Sequence, residues 1–113
     1  MFGDDDLVEM TNLKKKHTGV SGVIFISTVM GSHGPRVKYF IKAGREQPSF
    51  SVSISEEPRI LASSLPEGEV SRYAPDVLAW VRLNHEELLR FWNEGETMSV
   101  DEIVTFVESL KKI

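Results

Sequence analysis

The stretch "RVKYFIKAGREQPSFSVSIS", residues 36–55, contains two runs of alternating character on either side of the turn-forming "AGREQP". Side chains on a strand point to opposite faces in turn. Val37, Tyr39 and Ile41 therefore share one face, and Arg36, Lys38, Phe40 and Lys42 the other. In the second run Phe50, Val52 and Ile54 point inward while Ser49, Ser51, Ser53 and Ser55 point outward. Two such runs joined by a short turn are expected to pair as antiparallel strands. The resulting sheet has an apolar face that needs a cover and a polar face that does not.

Upstream, "VSGVIFISTVM" (residues 20–30) is β-branched and almost continuously apolar, as expected of a central strand covered on both faces. Gly31 to Pro35 supplies a turn, so this strand and the one starting at Arg36 form a hairpin. Downstream, "EEP" turns the chain and "RILASS" pairs back as a fourth strand. Everything beyond Leu65 is helical in pattern. A turn at "EGEVSRYA" leads to Pro75, suited to the first turn of a helix that runs to about Asn93 and stops before Gly95. Ser99 and Glu102 have the spacing of a capping box, and Val100, Ile103, Phe106, Val107 and Leu110 share one face of the helix it opens. The expected fold is α+β: a three- or four-stranded antiparallel sheet packed on two C-terminal helices, forming one domain over residues 18–113. Residues 1–17 lack apolar periodicity and are expected to form a mobile N-terminal arm.

A length of 113 residues, 41% of them hydrophobic, suits one modest core. The absence of cysteine excludes disulfides, thiolate nucleophiles and thiolate-bound metals, and places the expected location in the cytoplasm. The longest apolar run, Gly22 to Met30, is too short to cross a bilayer, and the start "MFGDDDLVEM" is acidic where a signal peptide would be basic. No membrane partner is expected. The net charge of -4 hides a strong asymmetry. Residues 1–10 carry four acids and no base, residues 11–47 seven bases and one acid, and residues 48–113 twelve acids and six bases. Within the basic third, "KKKH" is a stretch suited to touching phosphate, or a solvated tail.

Candidate chemistry is sparse. On a helical wheel Val77, Leu78, Val81, His85, Leu88, Leu89 and Trp92 occupy one arc, which Trp80 and Phe91 extend. That places His85 centrally on the apolar face, with Asn84 beside it, and each then needs a hydrogen-bonding partner. His85 is either a satisfied structural polar group or a proton-transfer group in a cleft. In "GSHGPRVK" (31–38), His33 is a second weak catalytic candidate, with Arg36 and Lys38 as stabilisers of negative charge; hairpin loops also contain such residues for backbone reasons. His17, His33 and His85 have no ligand-like spacing, so no metal site is expected. No nucleophile elbow, P-loop or dinucleotide fingerprint is present, and no cofactor is expected. The binding candidates are His33, Arg36, Lys38, Phe40 and Lys42, which combine cations with an aromatic ring on a hydroxyl-rich face.

"SLPEGEVSRYAPDVLAWVRLNHEELLRFWNEG" resembles the helix of a small bacterial domain-of-unknown-function family, with Leu65, Pro66, Trp80, Glu86, Glu87, Leu88, Leu89 and Trp92 at matching places. The likeness spans roughly residues 32–95. The resemblance implies a compact α+β domain from toxin-antitoxin-like gene neighbourhoods. The family's histidine pair is replaced here by Arg36 and Lys38, with Pro35 and Val37 at matching positions, so positive charge is what the resemblance leaves there. The sequence therefore points to a non-enzymatic interaction or regulatory domain that contacts an acidic protein partner or nucleic acid through a basic sheet face. The alternatives are a small RNA-directed enzyme using His33 or His85, and a homodimer using the same face.

Overall fold

The computed structural model describes residues 10–29, 32–44 and 46–113. Five strands, β1 (Met10–Leu13), β2 (Val23–Ser27), β3 (Arg36–Phe40), β4 (Ser49–Ser53) and β5 (Ile60–Ser63), form one antiparallel sheet in chain order. A one-turn helix α1 (Lys15–Thr18) links β1 to β2. The 28-residue helix α2 (Glu67–Glu94), a single 3-10 turn (Gly95–Thr97) and α3 (Val100–Ser109) complete the chain. The α+β class and the antiparallel sheet are as expected, but the sheet has five strands rather than three or four. The additional strand is Met10–Leu13, within the segment expected to be an arm. Four residues are too few to show periodicity, and the strand is held by pairing with β2 and by the buried Leu13. Residues 1–9 of the expected arm, the Met30 end of the expected first strand and Gly31 of the expected turn lie outside the described residues.

The alternation read from residues 36–55 sets the layers. Val37, Tyr39, Phe50, Val52 and Ile54 are buried, and all join one cluster with Ile24 and Ile26 of β2 and the buried residues of α2 and α3. Both long helices thus cover the same face of the sheet. β2 is an interior strand, as expected, but helices cover only one of its faces. Val23, on the other, is buried opposite Phe40. Tyr39 stacks near Phe50 (centroids 5.0 Å) and Tyr73 (5.7 Å), and Phe91 stacks on Phe106 at 4.9 Å, joining α2 to α3. Each fully buried large side chain of this kind contributes roughly 2–3 kcal/mol of transfer free energy.

The helices differ from expectation in two ways. α2 begins at Glu67, eight residues before Pro75, because Pro66 sits at its N-cap and Glu67 and Glu69 favour the positive end of the helix dipole. Pro75 is interior to the helix; it and Ser71 are both exposed, so the Ser71 carbonyl that loses its partner is open to water. The buried face of α2 comprises Ala74, Val77, Trp80, Val81, Asn84, Leu88, Phe91 and Trp92. Asn84, not His85, is its central polar residue, and Leu89 is exposed. Of the two polar residues expected on this face, Asn84 is buried and His85 is not, so the buried arc is rotated by about one position from the one centred on His85. In α3 the capping box forms as expected, with Glu102 N–H donating to Ser99 Oγ at 3.1 Å and Ser99 N–H donating to Glu102 Oε1 at 3.2 Å. Val100, expected inside, is 40% exposed.

Two glycines mark close approaches. Gly22 has φ +99°, and a methyl group there would lie 2.7 Å from the Phe40 carbonyl oxygen and against the Tyr39 hydroxyl. Gly22→Ala is expected to lower stability by about 2–3 kcal/mol in chemical denaturation. Gly34→Ala, with open space around it, is the control. The Tyr39 hydroxyl donates to the Ser21 carbonyl. Burial first, then Tyr73 and Asp76, push its phenol up to about 12. Above pH 10, the ordinary phenol value, the unfolded chain releases a proton that the folded chain retains, so this contribution is full below pH 10 and is lost between pH 10 and about 12. The difference in stability between the wild type and Tyr39→Phe should therefore shrink over that window in denaturation curves.

Candidate functional site: the outer sheet face

The strand registers align one residue from every strand in a row across the outer face: Asn12, Phe25, Lys38, Ser51 and Ala62. A second row runs Val23, Phe40, Ser49, and Arg36 pairs with Ser53. Lys38 is exposed and Arg36, Phe25 and Phe40 are half-buried, but Ser51, expected to face outward into solvent, is buried within the row, as is Val23. Among the described residues no acidic side chain belongs to these rows. The expectation that Arg36, Lys38 and Phe40 share a face thus matches the register. Lys42 falls beyond the end of β3, in a bend, exposed at the margin of the face. His33 is exposed in the β2–β3 connection, and Arg36 Nε donates to the Gly34 carbonyl at 3.3 Å.

His85 lies apart from this surface, on α2. Its Nδ1 is 2.9 Å from the Arg82 carbonyl, which can only accept, so the proton sits on Nδ1. The depression beside it, lined by Leu83, Asn84, Glu86, Glu87, Ser109 and Lys111, holds about 190 Å³. That is smaller than ordinary small-molecule sites, which begin near ~300 Å³. A wider open groove between α2 and α3 contains Glu87, Arg90, Asp101, Glu102 and Phe106. There Arg90 is committed to Glu87 at 3.0 Å and to the Phe106 ring at 5.7 Å. Among the described residues no group of His, Asp and Glu is placed to hold a metal ion, and no helix is long and apolar enough to cross a membrane.

The structure also gathers residues that sequence reasoning left apart. Asn84, only 4% exposed, donates through Nδ2 to the carbonyls of Trp80 (3.0 Å) and Lys111 (2.9 Å), and its Oδ1 accepts from the Lys111 N–H at 2.8 Å. This clasp fixes the segment after α3, and the Ile113 N–H then donates to the Thr18 carbonyl at 3.0 Å. Gly19, at φ +81°, lies against the Ile113 backbone, where no Cβ would fit. The segment carrying Lys111 and Lys112 is thereby brought to the α1 turn, with Lys112 close enough to act on His17. His17 Nδ1 accepts from the Lys14 N–H at 3.1 Å, which requires an unprotonated Nδ1. Burial first, then Lys16, Lys112 and Lys14, lower its pKa below the ordinary histidine value. The only trace of this cluster in the sequence is "KKKH"; nothing marks Lys112 as its neighbour.

No protein-family model, curated protein or solved structure matches the chain. The likeness over residues 32–95 therefore rests on the residues quoted for it. Of these, Trp80, Leu88 and Trp92 are buried, Leu65 and Glu87 are half-buried, and Pro66, Glu86 and Leu89 are exposed.

Asn84→Ala is expected to lower stability by about 2 kcal/mol and to speed amide hydrogen exchange at Lys111 and Ile113 while leaving the β3–β4 amides protected. His85→Ala, which removes only a surface contact, is expected to change stability by less than about 0.5 kcal/mol.

Proposed function

We propose that this chain is a non-enzymatic interaction domain that contacts an acidic partner or nucleic acid through the outer sheet face around Arg36, Lys38, Phe40 and Lys42. The observation that carries the reading is the row centred on Lys38, an exposed cation between Phe25 and Ser51 on a face to which the described strands contribute no acid. Cations on a sheet face that no described helix covers offer point charges to phosphates or carboxylates, and the half-buried rings of Phe25 and Phe40 offer apolar surface beside them. His33 stands at the margin, near Arg36 in sequence, as a further contact. The domain works in this reading as a cytoplasmic adaptor, with binding rather than turnover as its output.

Arg36→Ala combined with Lys38→Ala is expected to weaken binding of a short oligouridylate or of polyglutamate roughly tenfold at low salt, without change in fold by circular dichroism. Phe40→Ala separates the two partner classes. A stacked base contributes about 1–3 kcal/mol, so this change weakens oligouridylate binding and spares polyglutamate. Unchanged affinity for both probes in the double variant would sink the proposal. Self-association through the same face, seen by light scattering across a concentration series, would replace it with a homodimer.

A further inference from the structure

We infer that Lys14, Lys15, Lys16, His17, Lys111 and Lys112 form a second, phosphate-binding corner continuous with the outer sheet face, and that its ligand is the backbone of a single-stranded nucleic acid. The inference deepens the proposed function, on which it rests for the base contacts; the corner itself stands on separate observations.

The first is construction. The two lysine-bearing segments are far apart in sequence and are held together by three independent devices: the Asn84 clasp on Lys111, the Ile113–Thr18 hydrogen bond and the glycine approach at Gly19. Burial of the Asn84 amide commits the fold to this junction. The second is charge. Bringing Lys112 to the Lys14–Lys16 turn concentrates positive charge there, and His17, whose pKa is lowered first by burial and then by Lys16, Lys112 and Lys14, lies among them. Among the described residues none of these lysines makes an ion pair; the ion pair present there is Arg90–Glu87. Such a cluster attracts polyanions and gains by releasing their counterions. The third is position. Leu13 is the last β1 residue paired to β2, through Ile24, so Lys14 emerges beside Val23, and Val23 pairs with Phe40. A strand whose phosphates follow the lysines is thereby led onto the face holding Phe40, Phe25 and Lys38.

The choice of a single strand follows from this geometry. Exposed lysines on the α1 turn suit a chain of phosphates lying on the surface, and the adjoining aromatic rings can stack only bases that are not already paired. Neither an isolated phosphate nor a lipid headgroup uses those rings.

The test compares Lys14→Ala/Lys15→Ala/Lys16→Ala, Lys111→Ala/Lys112→Ala and Arg36→Ala/Lys38→Ala in the full chain, with thermal melts to verify folding. The probes are fluorescent oligouridylate, inorganic polyphosphate and phosphatidylserine vesicles, over a salt series. Each lysine lost from a phosphate contact should reduce the salt slope for a single strand by about 0.7, so the triple variant should lose about 2. Weaker binding of both oligouridylate and polyphosphate in the two corner variants, with the His17 imidazole titration moved upward by polyphosphate in the wild type, is the expected result. Unaltered binding of both probes in the corner variants would overturn the inference, whatever Arg36→Ala/Lys38→Ala does. Loss of polyphosphate binding with oligouridylate binding intact, or a preference for vesicles over oligouridylate, would overturn the single-strand assignment. Corner variants that weaken binding while Arg36→Ala/Lys38→Ala does not would leave the corner standing and remove the sheet-face reading.

Discussion

Tyr39 and Phe50, paired across β3 and β4, form the apolar floor on which α2 is laid, and the rest of the molecule depends on that contact. The helix meets the floor through Tyr73 and belongs to the same buried cluster through Trp80 and Val81. Once α2 lies there, the stacking of Phe91 on Phe106 places α3, and the 3-10 turn at Gly95 must pass close to Thr28, where a Cβ would not fit. A sheet of five short strands has only one apolar face to offer, so both helices compete for the same side, and among the described residues no helix covers the other.

That division of faces gives the domain its electrical character. The described helices from Glu67 onward hold most of its acids, while the outer face and the adjoining α1 corner hold lysines and Arg36. A molecule with net charge -4 can therefore present a locally positive surface, because fields near a surface follow the arrangement of charges rather than their sum. Asn84 links the two halves of this arrangement. Its buried amide spends its hydrogen-bonding capacity on the Lys111 backbone, leaving the Lys111 side chain outside and the neighbouring Lys112 beside His17. An apolar residue at position 84 would pack but would leave the segment after α3 without that anchor.

Much of the fold was legible in the residues themselves. The period-two runs at 36–42 and 49–55 specify both the pairing of β3 with β4 and the face that each side chain takes, because a one-residue slip would expose Tyr39 and Phe50 together. The capping box at Ser99 and Glu102 is equally local, since its bonds join residues three apart. β1 was not legible, because four residues are too few to show a period and form a strand only by virtue of the β2 edge. Pro75 reads as a helix start by propensity yet lies inside α2, where it is tolerated because the freed carbonyl faces water.

The site divides in the same way. Sequence alone determined that Arg36, Lys38 and Phe40 share a face opposite Val37 and Tyr39, because alternation along a strand is a property of the backbone. Tertiary structure alone decided that no described helix covers this face, that Asn84 but not His85 is buried on α2, and that Lys112 comes near Lys14, Lys16 and His17. Those outcomes depend on which surfaces are left once the helices have docked, and on contacts between residues almost a whole chain apart. No local pattern encodes either.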